Sequence, residues 1–289
     1  LTRGCVNKCK FCGVPIIEPN FRDYAGIKPW VKLINDTYGQ KHNLVLFDNN
    51  IIASKVFTEI IEDIRELGFE RGAKLNNRLR HVDFNQGIDA ELLTEDKMKI
   101  LNEIPVRPLR IAFDNVKEKS TYEKAIRIAH KYGIKELSNY MLYNFYDRPE
   151  DLWERLRINI ELSKELSLHL FSFPMKYMPL DETNREYIGK HWNKKFLQSI
   201  PAILLVTKGI VADGESFFYK VFGKNIEEYF EILTMPKDFI TYRSFYEKNG
   251  LTFEWKKIYE TMTDEEKGIL IRILCDENVE ENKKTKNIG

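Results

Sequence analysis

Short apolar runs alternate with amphipathic segments along the first 180 residues of the chain. The run at residues 43–48 is continuously apolar in its middle, as is typical of a strand covered on both faces. Five strands are predicted, at residues 43–48, 80–85, 109–114, 137–143 and 168–173. Helices are predicted at residues 27–38, 54–67, 94–104, 120–132 and 149–166, with Ser54 and Thr94 as N-caps. Strands separated by such helices predict an α/β fold with parallel strands and right-handed crossovers.

Polar residues follow four of the predicted strands. They are Asp48-Asn49-Asn50, Asn85-Gln86-Gly87, Asp114-Asn115 and Asn144. Functional residues of parallel α/β folds gather at the carboxyl ends of the strands. Each group could also be ordinary turn chemistry. Their recurrence after four successive strands favours a mouth lined by polar side chains.

The pattern changes after Met178, where strand signals stop. Residues 199–274 predict helices and loops, rich in Phe and Tyr. Residues 276–289 are charged and polar, which predicts a disordered tail. The expected organisation is therefore an α/β unit over residues 1–180, a mostly helical region over 181–275 and a tail over 276–289.

Charge and hydropathy exclude some classes of protein. The 289 residues include 45 Lys and Arg and 44 Asp and Glu, so the overall charge does not indicate nucleic-acid binding. The longest apolar stretch, residues 200–211, is interrupted by Pro201 and Lys208 and is too short to span a membrane. No secretory or transit segment is recognisable, and we expect a cytoplasmic protein.

Three of the four cysteines lie within the first twelve residues. Cys5, Cys9 and Cys12 have the spacing C-x3-C-x2-C, which lets a short loop give thiolates to three irons of a cubane and leave the fourth iron without a protein ligand. The alternative is a structural zinc site, which usually takes four Cys or His ligands in two separated pairs. Cys275 lies in a helical segment and is predicted to be a small buried apolar residue.

The residues around these cysteines resemble a known signature. The stretch 2–12, Thr-Arg-Gly-Cys-Val-Asn-Lys-Cys-Lys-Phe-Cys, resembles that of radical S-adenosylmethionine (SAM) enzymes, with an aromatic residue before the third cysteine. The resemblance implies a [4Fe-4S] cluster whose open iron binds SAM. Reductive cleavage of SAM would then give a 5′-deoxyadenosyl radical that abstracts hydrogen from a substrate. A reducing partner such as flavodoxin or ferredoxin is implied as well. A non-enzymatic iron–sulfur or zinc protein with a sensing or electron-transfer role is the alternative.

The resemblance also implies a fold, a partial (β/α)6 barrel in which the cysteine loop follows the first strand. Because the chain starts at Leu1, we expect that strand, and further sequence, upstream of it. The Thr-Arg-Gly lead-in is similar to that of methylthiotransferases and cobalamin-dependent radical SAM enzymes, so an upstream second cluster or cobalamin stays open. Only one cysteine lies outside the motif, which argues against a multi-cysteine auxiliary cluster within this chain.

Cofactor-binding roles follow from the resemblance. Phe11 is expected to pack on the adenine of SAM. Asp48 and Asn49 stand where family members present a glycine-rich acidic segment to the amino group of SAM, although the glycines are absent here. The remaining expected contacts are with the ribose hydroxyls, through Asp114 and Asn115, and with the adenosine, through Tyr143 and Asn144. Core packing, plain turns and helix capping are the alternatives for these residues.

Substrate-related roles are expected for four more residues. Gln86 and Asp89 are candidates for substrate contact, against an alternative of loop stabilisation. Lys176 and Tyr177 could orient substrate, or donate a proton or hydrogen atom; a solvated lysine beside a packed tyrosine is the alternative. We also expect part of the region after Met178 to close the barrel mouth, because a radical intermediate must be kept from water. The sequence leaves open whether the substrate is nucleic acid, protein or a small molecule.

Overall fold

The structure is a computed structural model that describes residues 1–275. The predicted disordered tail, residues 276–289, lies outside the described residues. The described chain is a mixed α/β protein with parallel sheets followed by a helical region.

The strands fall in the first two thirds of the chain. Their bounds are β1 Thr2–Arg3, β2 Arg22–Asp23, β3 Leu44–Leu46, β4 Lys74–Leu75, β5 Arg78–Leu79, β6 Val82–Phe84, β7 Leu109–Arg110, β8 Glu136–Tyr143 and β9 His169–Lys176.

Helices fall between these strands and dominate the chain beyond them. In the first part they are α1 Val14–Ile17, α2 Lys28–Tyr38, α3 Phe57–Glu66, α4 Glu95–Leu101, α5 Lys119–Lys131 and α6 Pro149–Leu166. After β9 they are α7 Lys194–Val206, α8 Glu215–Phe222, α9 Ile226–Thr234, α10 Lys237–Thr241, α11 Arg243–Lys248, α12 Leu251–Thr261 and α13 Asp264–Cys275. Short 3-10 turns lie at Ile51–Ala53 and Val116–Glu118.

The five predicted strands are β3, β6, β7, β8 and β9, and all pair in parallel. They form a two-stranded sheet, β3–β6, and a three-stranded sheet, β7–β8–β9, joined by isolated parallel bridges. Pro105 and Pro108 lie just before β7, where the two sheets meet, and neither can donate a backbone hydrogen bond. Their position accounts for the interrupted pairing between β6 and β7. The parallel α/β prediction is confirmed, whereas closure into a partial barrel stays a prediction.

Helix boundaries agree with the sequence pattern except at one cap. Thr94 caps α4 by accepting a hydrogen bond from the Lys97 amide, as predicted. Ser54 does not cap α3, and that prediction is wrong. Its hydroxyl instead donates to Asp23 and accepts from the Val56 amide, so α3 begins at Phe57.

The last strand is longer than the sequence pattern indicates. β9 continues to Lys176, and its pairing with β8 runs over its full length. Pro174 is tolerated because β9 lies at the edge of its sheet. Within the part of the chain that the structure describes, its other side has one isolated backbone bridge, from Ser172 to Val211. Lys176 therefore ends the strand rather than following it.

The helical region packs against the outer surface of the α/β part. Helices α8 and α9 contact α6, and the Trp153 indole of α6 donates to the Phe222 carbonyl at 3.1 Å. One hydrophobic cluster extends from Ile27 to Ile240 and includes Phe222. The two parts of the chain thus share a core. Among residues 1–275, no helix is long and apolar enough to cross a membrane.

Arg155, on the inner face of α6, is fully buried. Its guanidinium donates to the carbonyl oxygen of Phe113 at 2.9 Å and to that of Leu142 at 2.8 Å, and it forms an ion pair with Asp147 at 3.3 Å. These carbonyls follow β7 and lie in β8, respectively. The side chain therefore joins α6 to the carboxyl ends of two neighbouring strands.

Replacing Arg155 tests this linkage. Arg155→Leu should lower the free energy of unfolding by about 3–5 kcal/mol, because two buried carbonyls and a carboxylate lose the group that satisfies them. Urea unfolding followed by circular dichroism measures the change. Arg127→Leu is the matched control: its exposed ion pair with Glu165 should contribute little. Equal losses in the two variants would contradict the linkage.

Candidate functional site

A cavity of about 930 Å³ lies at the carboxyl ends of the parallel strands. The cysteine loop forms one wall, and the loops that follow β3, β6, β7 and β8 form the others. Nine of the predicted site residues line it: Cys5, Cys9, Phe11, Cys12, Asn49, Gln86, Asp89, Asp114 and Asn115. The prediction of a polar mouth at the strand ends therefore corresponds to a real concavity.

The start of the cysteine loop is fastened to the end of β3. Asp48 is buried and accepts hydrogen bonds from both the backbone amide and the hydroxyl of Thr2. Gly4 has φ +70°, and a Cβ there would lie 2.4 Å from the Asn20 carbonyl oxygen. Only glycine fits this close approach. Asp48 thus supports the loop from behind and does not line the cavity.

The three thiols lie on one loop, and all three residues line the cavity. They are half-buried and belong to no disulfide. Burial, together with the nearby Cys12 and Cys5, raises the pKa of Cys9 to about 11. Among residues 1–275, no group of three or more His, Cys, Asp or Glu is placed to hold a single metal ion. In a cubane each cysteine binds a different iron, so the three thiolates need not converge on one point.

The residues present fit an iron–sulfur cluster with a second ligand beside it. The donor set is three thiolates, the ligands that iron–sulfur clusters take. Cys275 lies elsewhere, with its sulfur 3.8 Å from Asn193. On the cavity wall, the Asn50 side chain is only 3 % exposed, and its Oδ1 has no hydrogen-bond partner in the described part of the chain. A ligand with an N–H or O–H group would satisfy this atom.

Asn49 and Phe11 line the cavity on either side of the cysteines. The Asn49 amide donates to Glu18 at 3.4 Å, and Glu18 also accepts from the Gly4 amide. The Phe11 ring meets the edge of Phe145, with centroids 5.7 Å apart. Both residues line the space where a cofactor next to the cysteines would lie. Their contacts with SAM stay predictions.

Asp114 and Asn115 line the cavity after β7. Asp114 Oδ1 accepts from the Leu142 amide at 2.9 Å. Burial raises the pKa of Asp114, while that hydrogen bond and the charge of Arg155 oppose the rise. Asn115 accepts from the Lys117 amide at 3.0 Å and caps the following 3-10 turn. Asn115 therefore has the capping role that was its alternative. The cap uses only the side-chain oxygen, Oδ1.

Gln86 and Asp89 differ in their surroundings. Gln86 is exposed on the cavity wall. Asp89 accepts from the side chains of Asn7 and Asn50 and from the Glu91 amide. Asp89 thus stabilises the loops that meet at this point, which was the alternative to substrate contact. Contact of either residue with substrate stays a prediction.

Tyr143 and Asn144 do not line this cavity. Tyr143 is buried, with its ring 5.3 Å from that of Trp192. Asn144 is fully buried in the left-handed conformation, φ 72°. Its amide donates to the carbonyls of Tyr177 and Tyr187 and accepts from the Gly189 amide. Asn144 therefore anchors the segment 177–189, which explains its position without a cofactor.

Lys176 and Tyr177 also lie outside the cavity wall. The Lys176 ammonium donates to the Arg185 carbonyl at 3.4 Å, and burial lowers its pKa. The Tyr177 ring contacts Phe145, a lining residue, at 4.6 Å between centroids. Among residues 1–275, no lining residue comes from beyond Asp151, which differs from the expectation that the C-terminal region forms part of the pocket. Those helices pack on α6 instead.

Other lining residues had no individual role predicted from the sequence. Asn50 belongs to the polar strand end Asp48-Asn49-Asn50, but no contact was assigned to it. Glu118 follows the cap at Asn115, and burial raises its pKa, helped by the charges of Asp114 and Asp89. No local pattern marks Glu118, because its role arises from loops that meet only in the fold.

Comparisons with known proteins add little to this picture. No protein-family model matches the chain, and no curated protein matches it. Among solved structures, the crystal structure of Streptococcus suis SuiB bound to S-adenosylmethionine is similar at 12 % identity with a TM-score of 0.40. The match covers 62 % of this chain and 38 % of that chain.

The role of Asn144 as an anchor is testable. Asn144→Ala should lower the free energy of unfolding by about 3 kcal/mol, because three buried groups lose their partners and alanine disfavours positive φ. Urea unfolding measures the loss. The control Asn77→Ala removes an exposed asparagine at φ 63° and should cost only about 1 kcal/mol. Similar losses in the two variants would show that the hydrogen bonds contribute nothing.

Proposed function

We propose that this chain is the catalytic part of a radical SAM enzyme, with a [4Fe-4S] cluster on Cys5, Cys9 and Cys12. The observation that carries the proposal is that these three cysteines line the same cavity as polar residues from the carboxyl ends of the parallel strands. When bound, the cluster would supply the electron that cleaves SAM to methionine and a 5′-deoxyadenosyl radical, which abstracts hydrogen from the substrate.

The protein's part in this reaction is to bind and orient the cofactor. Asn49, Asp114 and Asn115 present amide and carboxylate groups to the cavity, suited to the polar groups of SAM. The Phe11 ring offers an apolar surface for adenine beside the cysteines. The cavity also carries Asp89, Glu91, Glu118, Asp147 and Asp151 against Lys117 and Arg148, and this excess of carboxylates favours a ligand with a positive centre such as the sulfonium of SAM.

Further components follow from the same proposal. A one-electron donor such as flavodoxin or ferredoxin would reduce the cluster. Substrate would approach on the side of Gln86. The class of substrate is left open, as is a cobalamin or second cluster supplied by another domain.

Metal content tests the proposal directly. Anaerobically reconstituted protein should bind about four irons and four sulfides per chain. Alanine at Cys5, Cys9 or Cys12 should abolish the broad visible absorbance of the cluster, because each supplies one thiolate. Cys275→Ala is the matched control and should retain it, since that thiol lies away from the cavity. Stoichiometric zinc without sulfide in the wild-type protein would refute the proposal.

SAM cleavage distinguishes an enzyme from a sensor or an electron carrier. With a strong reductant, the reconstituted protein should release 5′-deoxyadenosine and methionine, even without substrate, as measured by chromatography of the quenched reaction. The Cys12→Ala protein should release neither. Wild-type protein that holds an intact cluster and yields no 5′-deoxyadenosine would favour the non-enzymatic alternative.

A further inference from the structure

Three side chains connect the cysteine loop to two strand ends. The Asn50 Nδ2 lies 3.7 Å from Cys5 Sγ and 3.2 Å from Asp89 Oδ2. The Asn7 side chain, on the cysteine loop itself, donates to the same Asp89 oxygen at 2.7 Å. Asp89 Oδ1 accepts from the Glu91 amide at 2.9 Å. Both carboxylate oxygens are therefore engaged, which fixes the orientation of Asp89.

This arrangement determines which way the Asn50 amide faces. An ionised carboxylate only accepts hydrogen bonds, so the NH2 end of Asn50 must point towards Asp89. The NH2 group carries two hydrogens, and the second is then directed at Cys5 Sγ. If the amide were reversed, its oxygen would face both a carboxylate and a sulfur. The Asn50 Oδ1 has no hydrogen-bond partner among residues 1–275, which is consistent with this orientation.

We propose that Asn50 is a positioning residue that donates an N–H to the sulfur of Cys5, with Asp89 fixing its orientation. This inference rests on the proposed function, since it concerns Cys5 as a cluster ligand. The side chain is 3 % exposed, so the hydrogen bond is shielded from water. The Cys5 sulfur also receives the Asn7 backbone amide at 3.4 Å. Asn7 and Asn50, whose side chains donate to Asp89, therefore both contact the Cys5 sulfur as well.

A hydrogen bond to a ligating sulfur changes the reduction potential of a cluster. Adding an electron increases negative charge on the sulfurs, and a nearby N–H stabilises that charge. Asn50 should therefore make the cluster easier to reduce. Its removal should make reduction harder even where cluster content and fold are unchanged.

The test compares midpoint potentials of reconstituted proteins, without SAM, by redox titration monitored with electron paramagnetic resonance. Asn50→Leu keeps the side chain's size and removes the donor. We expect about a tenfold fall in the equilibrium constant for one-electron reduction, which corresponds to about 59 mV towards more negative potential. Asn50→Ser, too short to reach the sulfur, should shift the potential in the same direction.

Thr121→Val is the matched control, because Thr121 also lines the cavity but lies on α5 and has no role in the proposal. Its potential should stay close to that of the wild type. Unchanged potentials in both Asn50 variants, or an equal shift in Thr121→Val, would overturn the proposal. So would folded Asn50 variants that both bind no cluster, since Asn50 would then only support the loop. A wild-type protein without a cluster refutes the proposed function instead, before any variants are compared.

Discussion

The geometry of the cavity depends on the buried guanidinium of Arg155. Parallel strands end in backbone carbonyls that have no partner once the ladder stops, and such groups must be satisfied if they are buried. Arg155 satisfies one that follows β7 and one in β8, and its charge faces Asp147. The same charge opposes the burial-driven rise in the pKa of Asp114. One side chain therefore sets both the spacing of two loops and the electrostatics of the wall between them.

The cysteine loop is held from outside rather than by its own secondary structure. Its only strand is two residues long, and its helix has a single turn. Side chains from elsewhere supply the support: Asp48 holds Thr2, Glu18 holds Gly4, and Asp89 holds Asn7. In each of these three cases an acidic group accepts N–H or O–H donors of the loop. The sulfurs are thereby left to face the cavity, which is the arrangement a cluster-binding loop needs.

The helical region contributes to the fold without entering the cavity. Its helices bury apolar surface against α6, and the connecting segment 177–189 is fastened by Asn144. Tyr177 nevertheless reaches the back of Phe145, whose ring contacts Phe11 beside the cysteines. A continuous path of packed rings thus connects the cysteine loop to the start of that segment.

The sequence by itself determined the order of the parallel strands and helices, the cysteine spacing and the polar character of the strand ends. These features depend on local periodicity and spacing, which are visible in a single amino-acid sequence. The hydrogen-bond partners of individual side chains could not be predicted in this way. Asp48, Asn144 and Asp89 look like site residues in the sequence, yet the fold uses all three to hold loops in place. Only the tertiary structure could decide this, because hydrogen bonds between residues distant in the chain leave no periodic signal. For the same reason the sequence placed Asn50 at a polar strand end but did not show its contacts with Cys5 and Asp89, which join segments about 40 residues apart.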